Sequence, residues 1–240
     1  MWLNKLFVTC CTVVGTLLPS AAQSFVGEGT LYPLAQNNGK CIVEGFVQIE
    51  GQTDEIIYAN TLLWVIEHIC PKHMEGIIDN SVAEKSFSCN LTLSPSDSSE
   101  GDRLYYCRAF FKVGNEKLIY RLSDIRVEST VLVVKKGTPL EKLNPGKKES
   151  HRRITDEFVS LESLLLNRLF DFIGNNASVK VTHWKEITER QAVVGMTQDE
   201  CRLAFGKPLA VMENNGEVQW KYNTTFYLYF KDGVLSSIIR

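Results

Sequence analysis

The stretches "VVGMTQDECRLAFGKP" (Val193–Pro208) and "EVQWKYNTTFYLYFKDGVLSSIIR" (Glu217–Arg240) decide how the C-terminal end of this chain folds. Thr197 is a good helix N-cap, and Glu200 follows three residues on. In that spacing each side chain satisfies a backbone N–H that the first helical turn leaves free. Met196 before the cap and Cys201 inside the helix can pack as a hydrophobic staple. Gly206 permits a left-handed exit and Pro208 forbids continuation, so the helix is confined to about Gln198–Phe205. Cys201, Ala204 and Phe205 form its apolar face. Beyond it, Asn214-Asn215-Gly216 and Asp232-Gly233 are the dipeptide and tripeptide signals that tight hairpins favour. Three strands alternate around them: Val218, Trp220 and Tyr222; Phe226, Leu228 and Phe230; Val234, Ser236 and Ile238. Those faces are expected to cover the helices, in a three-stranded meander. Tyr227 and Tyr229 then point to the opposite face. Paired aromatics there are candidate partner contacts, unless another part of the chain covers them.

The same periodicities organise the first half. In "CIVEGFVQIEG" (Cys41–Gly51), Cys41, Val43, Val47 and Ile49 face one way, and Glu44 and Gln48 the other. A helix follows, capped by Thr53 or Asp54, with Ile56, Ala59, Leu63, Ile66 and Cys70 at helical spacing and Pro71 as its stop. "SFSCNLTLS" (Ser86–Ser94) alternates with Phe87, Cys89, Leu91 and Leu93 inward. "RLYYCRAFFKV" and "EKLIYRLSDIRVES" form two more strands, joined by a turn at Gly114-Asn115. This order predicts an antiparallel sheet with a helix on one face. "KKGTPLEKLNPGKKESHRR" carries seven Lys or Arg against two Glu, with two Pro and two Gly. It reads as a solvated linker within residues 130–153, with a basic docking strip as the alternative. A helix over 154–174 follows, its stripe made by Phe158, Leu161, Leu165, Leu169 and Phe172.

The opening "MWLNKLFVTCCTVVGTLLPSAAQS" has a single Lys5, an apolar run from Leu6 to Leu18, then Pro19 and small residues. A run of about 13 residues is short for a bilayer span. The pattern is that of a signal peptide over 1–22, with Ser20 and Ala22 before the cleavage point, leaving a lead over 23–40. The protein is therefore expected outside the cytoplasm, periplasmic or secreted, with association to the outer membrane as a further alternative. Five cysteines remain after such cleavage: Cys41, Cys70, Cys89, Cys107 and Cys201. Cys41, Cys89 and Cys107 fall on apolar strand faces, as buried thiols do. Export also allows one disulfide between adjacent strands. A formal net charge of −2 over 240 residues argues against nucleic acid as a main partner, since phosphate binding needs a basic face.

Chemistry-bearing motifs are scarce. His68, Cys70 and His73 cluster in "EHICPKH", but positions 68 and 70 cannot share a helix face, and no second cluster completes four ligands. "GEGT" (Gly27–Thr30) lacks the rest of a phosphate loop, and no glycine-flanked Ser elbow or paired-His helix occurs. Glu50, Asp54 and Glu55 sit near a helix start, where the dipole accounts for them. No catalytic residue, metal ligand or cofactor is expected.

Two resemblances extend this reading. Gly195-Met196-Thr197, Glu200, "LAFGKP" (203–208), Trp220-Lys221-Tyr222, "LYF" (228–230) and "DGVLSSI" (232–238), with Trp184 upstream and Cys201 in the helix, resemble the SmpA/OmlA (BamE-like) domain. The resemblance covers about Trp184–Arg240, within a domain set at 178–240. It implies two helices on a three-stranded antiparallel sheet, as in β-lactamase inhibitory proteins. One member of that family is an outer-membrane assembly lipoprotein, whose lipid-attachment Cys has no counterpart here. "VQIEGQTDEIIYANTLLWV" and "LIYRLSDIRVE", within 41–129, resemble a domain of unknown function with a TATA-binding-protein-like fold, found in secreted bacterial proteins. Together they predict an α+β protein of two small domains, each an antiparallel sheet with helices on one face. The expected role is non-enzymatic binding of another envelope protein, without a membrane span. A small-ligand or lipid carrier, with a cleft beside helix 154–173, is the alternative, and a hydrolase lacking a recognised motif ranks last.

Overall fold

The computed structural model describes residues 35–37, 40–69, 76–95, 103–129, 134–143, 148–176, 179–214 and 216–240. The signal-peptide reading, most of the 23–40 lead, and Cys70 and His73 lie outside these residues. The chain is α+β, with two antiparallel sheets.

The larger sheet is built from β1 (Ala35–Asn37), β2 (Lys40–Gln48), β3 (Ile77–Ser81), β4 (Ser86–Leu93), β5 (Arg103–Gly114), β6 (Lys117–Ser129) and β7 (Val134–Pro139). Its order is β1-β2-β6-β5-β4-β3, with β7 also on β6. Phe87, Cys89, Leu91 and Leu93 of β4 point inward as the alternation requires, as do Tyr105, Cys107, Ala109, Phe111 and Val113 of β5. Asn115 and Glu116, at φ 56° and 56°, make the tight turn between β5 and β6. Gly45 is needed for close approach. It pairs with Tyr120, and a Cβ there would lie 2.6 Å from the Tyr120 hydroxyl.

Helix α1 (Asp54–His68) is capped by Thr53, whose hydroxyl accepts from the Ile56 N–H at 3.4 Å. Every residue from Ile57 to Ile66 is buried. The single stripe through Ile56 and Cys70 is thereby corrected: α1 lies between the large sheet and two other helices, so it is covered on all sides. Helix α2 (Glu149–Asn175) starts five residues before the expected 154 and runs past Gly174. Ile154, Phe158, Leu165, Leu166, Leu169 and Ile173 face the core, whereas Leu161 and Phe172 are only half-buried.

The stretch read as a basic linker also differs. Six of its residues form β7, which pairs the half of β6 that β2 leaves free, and Leu140–Lys142 make a 3-10 turn. Leu140 and Leu143 are buried and anchor it. Composition registered the lysines and passed over those two leucines.

The second sheet contains β8 (Ala210–Asn214), β9 (Glu217–Lys221), β10 (Tyr227–Lys231) and β11 (Val234–Ile239), in the order β11-β10-β9-β8. It is therefore four-stranded, with β8 added to the meander. Two short helices, α3 (Trp184–Thr188) and α4 (Gln198–Phe205), cover one face. Helix α4 has the expected bounds and a complete capping box, and Gly206 leaves it at φ 79°. Trp220, Tyr222, Leu228 and Phe230 are buried beneath the helices. The third strand is inverted at its start. A register shift after Tyr229 pairs Phe230 with Leu235, so Leu235 is buried while Val234 and Ser236 are exposed.

The two sheets share one hydrophobic core. The Trp184 ring lies 5.4 Å from that of Tyr58 on α1, and the Arg202 guanidinium of α4 meets Glu67 of α1 at 3.4 Å. Gln52 and Asn60 donate to the carbonyls of Ile173 and Asn176 at 2.8 and 2.6 Å, tying α1 to the end of α2.

Candidate interaction surface

Strand alternation places the candidate contact residues. Tyr227 pairs with Lys221 and Tyr229 with Gln219, so all four side chains stand on the face away from α3 and α4. Met212 pairs with Gln219 and Ala210 with Lys221, which extends the row onto β8. Both tyrosines are half-buried. Gln219 donates to the Tyr229 hydroxyl at 3.1 Å, and the Tyr227 hydroxyl donates to the Thr224 carbonyl at 3.2 Å. The Lys221 ammonium sits 5.8 Å from the Tyr227 ring centre, within cation–π range. The result is an aromatic and basic surface on the face opposite α3 and α4. Tyrosine suits contact with a partner, since it offers large contact area with little conformational freedom to lose.

Two carboxylates, Glu200 and Glu157, tie elements of the fold together. Glu200 is 1% exposed. Its Oε1 accepts from the Thr182 N–H (2.6 Å), the Thr182 hydroxyl (3.0 Å) and the His183 N–H (3.0 Å), and lies 3.1 Å from His183 Nδ1. Its Oε2 accepts from the Thr197 N–H at 2.8 Å. Burial pushes the carboxyl up, but these hydrogen bonds outweigh it and hold it below the usual range. A carboxylate so saturated fixes the entry to α3 and the start of α4. Its pairing with His183 was not legible in advance, because the partners are remote in sequence and carry no motif. Across the large sheet, Arg103 and Tyr105 meet Glu157 of α2 at 2.8 and 2.5 Å, which pins that helix to β5.

Glu162 is the opposite case. It faces the core from α2, beside Leu165 and Leu166 in the buried stripe, and burial raises its carboxyl above the usual range despite a hydrogen bond from Ser163. In the folded chain it binds its proton more tightly than in the unfolded chain. Stability is therefore lost as pH climbs from the unfolded value through the folded one. Glu162→Leu is expected to raise the melting temperature at neutral pH, with the gain shrinking towards acid. Calorimetry across a pH series reads it, and a lower melting temperature at neutral pH contradicts it.

Cys41, Cys89, Cys107 and Cys201 are buried. Burial pushes the Cys41 thiol up to about 11, and those of Cys107 and Cys201 up to about 12. Thiols so placed pack as small apolar groups and react poorly. All four are expected to resist a thiol reagent at mildly alkaline pH until the chain is unfolded. Peptide mapping after labelling distinguishes them from Cys70. His68 stacks on Trp64 at 5.0 Å, and its Nδ1 lies 3.0 Å from the Trp64 carbonyl. Among the described residues, no group of three or more His, Cys, Asp or Glu could hold a metal, and no helix is long and apolar enough to cross a membrane.

Shallow hollows mark the surface of the described residues. One, of about 150 Å³, is bordered by Arg190, Phe205, Tyr222 and Phe226. Another, of about 400 Å³, lies over β3 and β4 between Ile78 and Phe110. Neither lies between α2 and the sheet, where Phe158 packs on Tyr105 with ring centres 5.7 Å apart.

No family model and no curated protein matches the chain. Among solved structures, it is similar to a DUF4468 family protein from Bacteroides ovatus, with 15% identity over 61% of this chain and 94% of that one and a TM-score of 0.49. It is also similar to a TBP-like protein from Parabacteroides distasonis, with 14% identity over 60% of this chain and 98% of that one and a TM-score of 0.50. The latter likeness is one of fold, and it shows a TATA-binding-protein-like α+β architecture within this chain.

Proposed function

We propose that this is an exported, non-enzymatic bacterial envelope protein that binds another protein through the open face of its second sheet. The observation that carries the reading is the row of Tyr227, Tyr229, Lys221 and Met212 on a sheet whose other face buries Trp220, Leu228, Phe230 and Leu235. Export follows from the leader pattern in residues 1–22. Two helices on an antiparallel sheet also suit a BamE-like assignment for residues 178–240, with the fourth strand β8 as a departure. The carrier reading has less support, because the space beside α2 is filled by Phe158, Leu165 and Leu169. Tyr227→Ala with Tyr229→Ala is expected to cost under about 2 kcal/mol of stability, as two cross-strand pairs are weakened. The same double change is expected to abolish specific capture of the partner from an envelope extract. Capture that survives it, in a chain of normal melting temperature, rules out this face.

A further inference from the structure

Sheet edges expose unpaired backbone groups, and proteins blunt them with lysine, proline, bulges, brevity or a covering segment. Most edges here carry such a device. β1 is three residues long. β3 has a register shift between Ile77 and Asp79 and presents Asp79 and Asn80. β7 contains Lys135, Lys136 and Pro139. The first half of β11 is covered by residues 195–197, through Gly195 N–H to the Leu235 carbonyl (2.9 Å), Leu235 N–H to the Met196 carbonyl (2.7 Å) and a bridge from Thr197 to Val234.

Among the described residues, β8 has none of these. It pairs with β9 along one side in unbroken register from Ala210 to Asn214, with no lysine, proline or bulge within it. All five residues are exposed. Leu209 just before it is 66% exposed, Val211 57% and Met212 49%. Val211 pairs with Trp220 and so lies on the helix side, whereas Met212 lies on the tyrosine side. Apolar surface thus borders the free edge on both faces.

We propose that β8 pairs with β8 of a second copy of this chain, antiparallel about a two-fold axis, to make a continuous eight-stranded sheet. Only an extended backbone can satisfy a free strand edge. The residues around this one complement themselves. A two-fold axis normal to the sheet sets residues of like face opposite each other. Centred on Val211, it places Val211 against its twin, Ala210 against Met212, and Leu209 against the aliphatic stem of Glu213. Lys207, just ahead of the strand, then becomes the diagonal neighbour of Glu213 in the other copy, twice per dimer. Both are exposed, and neither forms an ion pair among the described residues. The charge order, positive before the strand and negative at its far end, fits antiparallel self-pairing and opposes parallel pairing. The contact is short, so the dimer is weak and concentration-dependent.

Sedimentation velocity over a concentration series tests this on the mature chain. Wild type is expected to move from monomer to dimer, and more weakly at high salt. Lys207→Glu alone and Glu213→Lys alone are each expected to weaken dimerisation about tenfold, since two diagonal attractions become repulsions. Combining them restores it, because the charges are merely exchanged. Val211→Lys with Met212→Lys is expected to keep the chain monomeric, with an unchanged melting temperature because both side chains are already exposed. A monomer at every concentration, a charge swap that fails to restore association, or a dimer that survives the double lysine change overturns the proposal. So does a strand from a different protein occupying β8. The tyrosine-face reading is read separately, because Tyr227→Ala with Tyr229→Ala leaves the β8 edge unchanged.

Discussion

Replacing Trp220 by alanine is expected to destabilise the chain by about 3–5 kcal/mol, the usual cost of truncating a buried tryptophan. The side chain, on β9, is fully buried. The Phe230 ring is 4.5 Å away, the Tyr222 ring 6.5 Å, and the Arg202 guanidinium covers the indole at 4.9 Å. Arg202 also reaches Glu67 on α1, so the indole supports the contact that joins the second sheet to the first half of the chain. Collapse of the site is limited because Phe230 is held in a paired strand, and Tyr222 donates its N–H to the Phe226 carbonyl and its hydroxyl to the Gly206 carbonyl, each at 3.0 Å. Denaturant titration measures the effect. A loss below about 1 kcal/mol contradicts the assigned strand faces.

Glu200→Ala is expected to be comparably damaging, at about 3–5 kcal/mol, as for removal of one member of a buried charged network. The Thr182, His183 and Thr197 N–H groups all lose their common acceptor. The capping box of α4 is lost in the same step. The pH dependence has a definite sign. Because the folded carboxyl is held below its unfolded value, Glu200 contributes fully above the unfolded pKa, and that contribution fades as pH falls through the folded one. The wild-type advantage over Glu200→Ala is therefore expected to be largest near neutral pH and to shrink in acid. Urea titrations at neutral and acid pH give both numbers. An equal difference at the two would contradict an ionised Glu200.

What could be read from the sequence was whatever a local rule determines. Helix α4 is bounded by Thr197, Glu200, Gly206 and Pro208, each acting within a few residues of itself, and the structure has those bounds. The outward orientation of Tyr227 and Tyr229 needs only the two-residue period of a strand. Features set by distant packing were not legible. Helix α1 lost its expected stripe because neighbours cover it all round. β11 presents Leu235 instead of Val234 because one register shift reverses the period. β8 escaped notice because an edge strand exposed on both faces has no apolar-polar alternation to detect. β7 exists because the far half of β6 lacks another partner. The Glu200 cluster depends on Thr182 and His183, which only the folded chain brings to it.

Contact with another protein through the tyrosine face of the second sheet is the role we propose for this chain. Photo-crosslinking in living cells tests this directly, with a photoreactive phenylalanine analogue placed at position 229 and, as a control, at the exposed Asn90 on the outer face of the first sheet. The expected result is one discrete adduct from position 229 and none from position 90. No adduct from 229, or the same adducts from both positions, would contradict it.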